Sequence, residues 1–211
     1  VLSIGIPASL NSILMSFSNI MINSFMAKHG DLQLAGLGVA MKVNMIAVML
    51  LIGVGTGIQP LLGYCFGAGN SKRYRSVLKF SLCFAICLSI IMTLICYLGA
   101  APLAKAFLDD EEAFGYAFAF SRIYIMSGPV LGILFVFINA IQSMGAAIPS
   151  LILSVSRQGI IYFPILITTS IVNNTPVNLA MTQPITDFIA TAFSIVLFIV
   201  AYKKYFVAKD D

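Results

Sequence analysis

The chain of 211 residues has no tryptophan, one histidine and few charged side chains: 12 Lys and Arg with 8 Asp and Glu, or 9% of the sequence. Soluble globular proteins carry about a quarter of their residues as charged side chains, because a water-facing surface needs them. Hydrophobic residues make up 60% of this chain, and its mean hydropathy is +1.00. The composition excludes a soluble enzyme, a nucleic-acid-binding protein and a disordered scaffold, and it predicts a protein of the lipid bilayer.

Residue sets typical of catalysis and metal binding are also missing. The sequence contains no P-loop, no cluster of His, Asp and Glu and no Ser-His-Asp set, so we predict no catalytic residue, no metal site and no cofactor. Its four cysteines lie inside apolar segments, which disfavours a disulfide framework. The net charge of +4 is spread along connectors, so nucleic acid is not an expected partner. The expected class is a membrane protein that is not an enzyme.

Six apolar segments are long enough to cross a bilayer, which takes about 20 residues of α-helix. The predicted spans cover about 1–27, 34–66, 77–100, 115–143, 149–172 and 181–202. Between spans three and four, residues 101–113 read as a short interfacial helix that ends in an acidic loop. The predicted fold class is an all-α integral membrane protein, with a six-helix transmembrane lobe at 1–204 and a cytoplasmic tail at 205–211.

The distribution of lysine and arginine predicts the orientation of the spans. Basic residues are concentrated in the connector at 72–75 and in the tail at 203–209. An even number of spans separates these segments, so both should lie on the cytoplasmic side together with the amino end. The acidic run 109–112 and the turn 173–178 should then lie outside. The expected location is a plasma or inner cell membrane, crossed several times.

Uncharged polar residues mark two of the spans. Asn11, Asn19 and Asn23 fall within one broad face of span one, which predicts either a wall facing water or substrate or hydrogen bonds to neighbouring helices. In span two, Gln59 adjoins Pro60, which removes a backbone hydrogen bond and favours a bend. These five residues are candidates for lining a cavity. The alternative is close helix packing through glycines four residues apart, namely Gly53 with Gly57 and Gly63 with Gly67.

Apart from Lys79 at the very start of span three, four charged residues lie within the predicted spans: Lys42, Arg122, Arg157 and Asp187. Each costs roughly 2.5–3.5 kcal/mol in lipid on insertion scales. The predicted spans put Lys42, Arg122 and Asp187 at similar depth below the outer face and Arg157 about as far from the cytoplasmic face. Asp187, the only acid in any predicted span, either forms a structural ion pair with one of the cations or binds a cationic substrate or a proton. Snorkelling of the Lys42 side chain to the interface explains that residue equally well.

Several motifs resemble those of one transporter family. The stretch 53–75, GVGTGIQPLLGYCFGAGNSKRYR, and its approach at 30–38 resemble the second helix and basic connector of a lobe of the multidrug and toxic compound extrusion (MATE) family. Residues 156–159 with Pro164 resemble that lobe's fifth helix, and 183–187 resemble its sixth. The resemblance implies one six-helix lobe of a twelve-helix transporter. It implies the carboxy-terminal lobe, because span one lacks the aspartate that is typical of the amino-terminal lobe. The amino-terminal lobe of the same protein would then be the missing partner.

The same resemblance implies an activity. MATE members are antiporters that export cationic or amphipathic compounds in exchange for sodium ions or protons. Sodium-coupled members of one branch carry acids in the first and fourth helices of this lobe, and spans one and four have none here. The coupling ion therefore stays open. Two alternatives are a lipid-linked-sugar flippase of the same superfamily, which would need several cations for pyrophosphate, and a membrane scaffold subunit without transport.

The predicted orientation is open to a labelling test. In a cysteine-free background, a single cysteine near Ser71 should react with an impermeant maleimide only from the cytoplasmic side. A cysteine near Asn174 should react only from outside, because the basic connectors hold Ser71 inside. Reversed labelling would contradict both the orientation and the number of spans.

Overall fold

A computed structural model describes residues 2–107 and 110–206, and these ranges are helical apart from short turns. The helices are α1 (Leu2–Ala27), α2 (Asp31–Gly67), α3 (Ser71–Phe107), α4 (Glu111–Ile125), α5 (Gly128–Ser143), α6 (Ala147–Val155), a π-helical turn (Ser156–Ile161), α7 (Tyr162–Val172) and α8 (Pro176–Phe206). The predicted all-α fold class is confirmed for these ranges.

By length and composition, four of the described segments can cross a bilayer: α2, most of α3, the run Ile148–Val172 through the π-helical turn, and α8. The pair α4 and α5 is bent by 47° and supplies a fifth crossing if it is one span. The stretch Ser12–Ala27 of α1 is a shorter apolar helix. Of the six predicted spans, four are therefore long and apolar enough to cross a membrane, and the bent pair α4 and α5 is a fifth if it forms one span. The remaining predicted span corresponds to α1.

Helix α3 is longer than the predicted span at both ends. It begins at Ser71, inside the predicted basic connector, and the Asn70 side chain caps it by accepting a hydrogen bond from the Arg73 N–H at 2.9 Å. The separate interfacial helix predicted at 101–113 is wrong, because α3 continues through Pro102 to Phe107. Fully buried Ala104 packs there with side chains of α4, which stabilises the extension.

Part of the predicted acidic loop is a helix cap. The Asp110 carboxylate accepts hydrogen bonds from the backbone N–H groups of Glu112 at 2.8 Å and Ala113 at 3.2 Å. This arrangement satisfies donors that the first turn of α4 would leave unpaired, and acids there are favoured by the helix dipole. Asp109 lies outside the described residues.

Glycines set the closest helix crossings, and of the two pairs predicted from spacing only Gly63 contacts another helix, since its added Cβ would lie 3.6 Å from the Ser143 carbonyl oxygen of α5. At Gly132 of α5, an added Cβ would lie 2.7 Å from the Ala85 carbonyl oxygen of α3. At Gly55 of α2, an added Cβ would overlap the Asn139 side chain of α5. Gly53 and Gly57 have open space at their Cβ positions, because a shift of two residues turns the helix by about 200° to the opposite face. The predicted packing role for that pair is wrong within this lobe.

Two sets of contacts define the ends of the lobe. His29 Nε2 lies 2.9 Å from Asn174 Oδ1, which joins the turn after α1 to the turn before α8. At the other end, Arg75 Nε donates to the Tyr202 hydroxyl at 2.8 Å, joining the start of α3 to the end of α8. The two predicted basic segments therefore begin at the same end of the lobe, as an even number of spans requires.

The crossing at Gly132 should be sensitive to a single methyl group. We expect Gly132→Ala to lower the free energy of unfolding by about 1–3 kcal/mol, because the Ala85 carbonyl is backbone and yields only by moving α3. Gly115→Ala in α4 is the control, since its Cβ meets open space and alanine favours a helix by up to about 1 kcal/mol. Thermal unfolding in detergent measures both variants, and equal melting shifts would contradict the crossing.

Candidate functional site

Asp187 is the centre of the largest buried polar cluster that we describe. Its side chain is completely buried in α8, and its carboxylate accepts hydrogen bonds from three residues. Oδ1 accepts from Arg157 Nε at 3.1 Å, from Arg157 Nη2 at 2.9 Å and from Gln183 Nε2 at 3.2 Å. Oδ2 accepts from the Ser127 hydroxyl at 3.0 Å. These donors compensate a charge that would otherwise be very unfavourable in a low-dielectric interior.

Each helical segment that contributes to this cluster is irregular near Asp187. Ser127 lies at the break between α4 and α5, where the pair bends by 47°. Arg157 lies in the π-helical turn, and α8 contains Pro184 three residues before the carboxylate. Proline and π-helical turns disturb the normal hydrogen-bond pattern, and π-turns are frequent at functional sites. Three irregular helical segments therefore meet at one buried charge.

The break between α4 and α5 follows from the local sequence. A proline ring clashes with the carbonyl of the residue four positions earlier, and for Pro129 that residue is Ile125, the last residue of α4. Pro129 then suits the first turn of α5, where its missing N–H is not needed. Gly128 allows close approach of α3, because an added Cβ would overlap the Thr93 hydroxyl. Ser127 is therefore presented at a fixed corner.

Helix α1 contacts the π-helical turn that carries Arg157. The Ser18 hydroxyl is buried, and it lies 2.9 Å from the Gln158 carbonyl oxygen and 2.8 Å from the Leu14 carbonyl oxygen. Beside it, a Cβ on Gly159 would lie 3.7 Å from the Leu14 methyl groups. This contact connects the helix with the predicted cavity-lining asparagines to the charged cluster.

The Arg157–Asp187 contact is an ion pair largely removed from solvent, with side-chain exposures of 15% and 0%. It is the only cation–carboxylate contact within 4 Å among residues 2–107 and 110–206. The Arg157 guanidinium also lies 5.6 Å from the centre of the Phe135 ring. Removing one partner of such a pair typically destabilises a protein by about 3–5 kcal/mol, because it leaves an uncompensated buried charge.

Two buried hydroxyls on α4, those of Ser121 and Tyr124, have no hydrogen-bond partner among the described residues. Tyr124 and Tyr162 lie close enough to Asp187 to interact with its charge. Unsatisfied buried hydroxyls are unusual, so this region has capacity for a further polar group. The described part of the chain holds no group of three or more His, Cys, Asp and Glu that could bind a metal ion.

The depth predicted for the charged residues is wrong. Helix α8 begins at Pro176 rather than near residue 181, so Asp187 lies about 16 Å into it at 1.5 Å per residue. Arg157 lies about 15 Å from the opposite end of its own span, which begins near Ala147. Both residues therefore reach the same level in the middle of the lobe, whereas the predicted spans place them near opposite faces of the membrane.

The other two predicted cations lie apart from Asp187. Arg122 is exposed, and its guanidinium lies 4.6 Å from the Tyr97 ring centre and 4.3 Å from that of Phe118. Lys42 lies on an exposed part of α2. The three predicted cations therefore do not form one positively charged cavity.

The uncharged candidates lie on surfaces that the lobe leaves partly open. Asn19 and Asn23 are half-buried, beside the buried face of α1, and the side chain of Asn11 lies outside the described part of the structure. Gln59 is half-buried and Pro60 is exposed on an α2 that continues unbroken through the proline. Among the described residues, the break with a 47° bend lies between α4 and α5. Ser127 is not among the residues predicted from the sequence. The Gly128-Pro129 pair that follows it is the sequence feature that indicates the helix break at which Ser127 lies.

Comparison with known proteins places the chain in a family. The MatE family model matches residues 7–168. The chain belongs to the MatE family. It is 28% identical over 171 residues to the multidrug export protein MepA of Staphylococcus aureus strain NCTC 8325 / PS 47, and 26% identical to MepA of Staphylococcus saprophyticus. The alignment covers 79% of this chain but only 36% of MepA, so the chain spans about a third of these relatives.

Solved structures of MATE transporters share the fold. The bent form of the Vibrio cholerae MATE transporter VcmN matches with a TM-score of 0.86 at 19% identity, covering 96% of this chain and 46% of VcmN. A MATE transporter in the straight conformation matches with a TM-score of 0.87 at 18% identity, covering all of this chain and 47% of that one. The chain thus has the fold of about half of a MATE transporter. The resemblance found in its motifs is confirmed, and the family is one of transmembrane multidrug exporters rather than enzymes.

The ion pair of this MatE lobe should show strong energetic coupling. We expect Asp187→Asn and Arg157→Gln each to lower the free energy of unfolding by about 3 kcal/mol, because each leaves one charge buried without a partner. The double variant should lose about 1–3 kcal/mol less than the sum of the two. Thermal unfolding in detergent measures all three proteins. Arg122→Gln, which removes an exposed cation, is the control, and simple additivity of the two changes would contradict the pairing.

Proposed function

We propose that this chain forms the carboxy-terminal lobe of a secondary active antiporter. The complete transporter would export cationic or amphipathic drugs in exchange for sodium ions or protons, with a second six-helix lobe as its partner. Membership of the MatE family, the likeness to MepA and the coverage of about half of solved MATE chains support this proposal. The proposed location is a cell membrane with both chain ends cytoplasmic, in keeping with the basic segments at one end.

The observation that carries the proposal is the buried carboxylate of Asp187 at the meeting point of three irregular segments. A proton or sodium ion on this carboxylate would neutralise it, and a cationic drug would compete with Arg157 for it. Either event weakens the bonds from Arg157 and Ser127 that hold the π-helical turn and the α4–α5 break against α8. Because such irregular segments can adopt a second packing, occupancy of Asp187 would be coupled to helix movement.

Open faces on α1 and α2 support a cavity between two lobes. Gly53 and Gly57 have open space at their Cβ positions, and Thr56 between them is exposed. Asn19 and Asn23 of α1 are half-buried, and within the described ranges no hydrogen bond to their side chains is present. Asparagine amides without hydrogen bonds would be unfavourable against lipid, so we propose that these faces meet the second lobe across a water-filled cavity.

A flippase for lipid-linked sugars has less support. Such a site needs several cations directed at one pyrophosphate, whereas Arg157 is neutralised by Asp187 and Arg122 is stacked on two aromatic rings. No geometric feature favours a scaffold that does not transport.

Efflux of a cationic dye separates transport from folding. We expect Asp187→Asn in the complete natural chain to lower ethidium efflux several-fold. The double variant Arg157→Gln/Asp187→Asn has no unpaired charge, so it should regain stability without regaining efflux, because it still lacks an acid that can exchange cations. Efflux is measured in cells lacking their own drug pumps, with membrane expression quantified and Arg122→Gln as the control.

A double variant that exports dye as well as the wild type would contradict this role. Asp187 would then be a structural partner of Arg157 only, and the coupling acid would lie elsewhere. Imposed sodium or proton gradients across proteoliposomes identify the coupling ion, since only the coupled gradient should accelerate efflux.

A further inference from the structure

Among the described residues, one end of the lobe carries a concentration of positive charge, which we call the basic end. It consists of Lys72, Arg73 and Arg75 in the first turns of α3 and Lys203 and Lys204 in the last turn of α8, all of them exposed. We propose that the basic end binds the headgroups of anionic phospholipids, such as phosphatidylglycerol. This inference is independent of the transported substrate.

Contacts between α3 and α8 bring the two groups of cations together. The Arg75 guanidinium donates to the Tyr202 hydroxyl at 2.8 Å and lies 5.2 Å from the centre of the same ring. The Tyr74 ring centre lies 4.9 Å from that of Phe206 and 6.0 Å from that of Tyr202. Residues far apart in the sequence thus form one surface, and Arg75 is held in a defined position on it.

No described carboxylate balances this charge. Asp31 and the acids at 110–112 lie at the starts of α2 and α4, at the opposite end of the lobe, and Asp187 is paired in the middle. None of the five cations is within 4 Å of a carboxylate in the described ranges. Within residues 2–107 and 110–206, no carboxylate therefore competes with an external anion for these five cations.

The position of three cations at a helix start strengthens the attraction for an anion. The amino end of a helix carries a partial positive charge, so acids are favoured there and cations are disfavoured. The first turn of α3 contains no acid, yet Lys72, Arg73 and Arg75 all lie within its first five residues. A phosphate at this point would interact favourably with both the side chains and the helix end.

Neighbouring apolar residues favour a lipid over a soluble phosphate. Tyr64 at the end of α2 is 68% exposed, and Phe80 is 73% exposed, about one and a half turns after Arg75 on α3. Exposed tyrosines are typical of the membrane–water interface, and Phe80 lies about 7.5 Å further along α3 than Arg75, in the direction of the middle of the lobe. We therefore infer that the cations lie at the level of the lipid headgroups. A phospholipid would contact them with its phosphate and the exposed aromatic residues with its acyl chains.

Native mass spectrometry of the complete natural chain in detergent tests the proposal by titration with phosphatidylglycerol and with phosphatidylcholine. We expect tighter binding of phosphatidylglycerol. The variant Lys72→Gln/Arg73→Gln/Lys203→Gln/Lys204→Gln should weaken that binding by about tenfold or more and leave phosphatidylcholine unaffected. For a comparison at equal charge, Lys72→Gln/Lys203→Gln should weaken binding several-fold, whereas Lys28→Gln/Lys105→Gln, which removes two exposed cations at the opposite end, should change it less than about twofold.

Two further measurements keep the test decisive if the charge-removing variant folds or inserts poorly. The charge-retaining variant Lys72→Arg/Lys203→Arg should bind phosphatidylglycerol like the wild type, and raising the salt concentration should weaken binding to the wild type. Equal binding of the two lipids, or equal loss in the control variant, would overturn the proposal. Displacement of phosphatidylglycerol by millimolar inorganic phosphate would also overturn it, since that result indicates a soluble-anion site.

Discussion

The rest of the lobe is arranged around one constraint: a carboxylate buried in the middle of a membrane domain must be compensated. Asp187 is completely buried and receives four hydrogen bonds from Arg157, Gln183 and Ser127. Water cannot supply these bonds inside a bilayer, so the protein must bring charged and polar donors from several helices to one point. The positions of the α4–α5 break and of the π-helical turn match this requirement, because the break presents the Ser127 hydroxyl and the turn presents the Arg157 guanidinium.

The same cluster connects four of the helical segments of the lobe. Ser18 bonds α1 to the π-helical turn, and the Arg157 guanidinium in that turn lies over the Phe135 ring of α5. Tight crossings at Gly132 and Gly55 hold α3, α5 and α2 together on the other side. The architecture therefore combines a closely packed region with irregular helices at the charged cluster. Such a combination permits discrete movement without loss of the fold.

The two ends of the lobe differ from each other in charge. Acids cap α4 and begin α2 at one end, whereas the described cations of α3 and α8 form the basic end at the other. The charge asymmetry that predicts orientation from the sequence is thus also a property of the folded surface. Because Arg75 and Tyr202 are bonded, this surface has a defined shape rather than being a set of independent flexible side chains.

The sequence by itself determined that this is an all-α membrane protein, the order of its spans, and its family. Hydropathy and short motifs are local properties, so they can be recognised without knowing which helices meet. Only the tertiary structure decided the partner of Asp187, because the depth of a side chain depends on where its helix begins, and α8 begins five residues before the predicted position. Helix packing likewise decided that Gly55, rather than Gly53 and Gly57, contacts α5. Helix packing also places Ser127 next to Asp187. The two residues are far apart in the sequence, so the local pattern around either one does not indicate their contact.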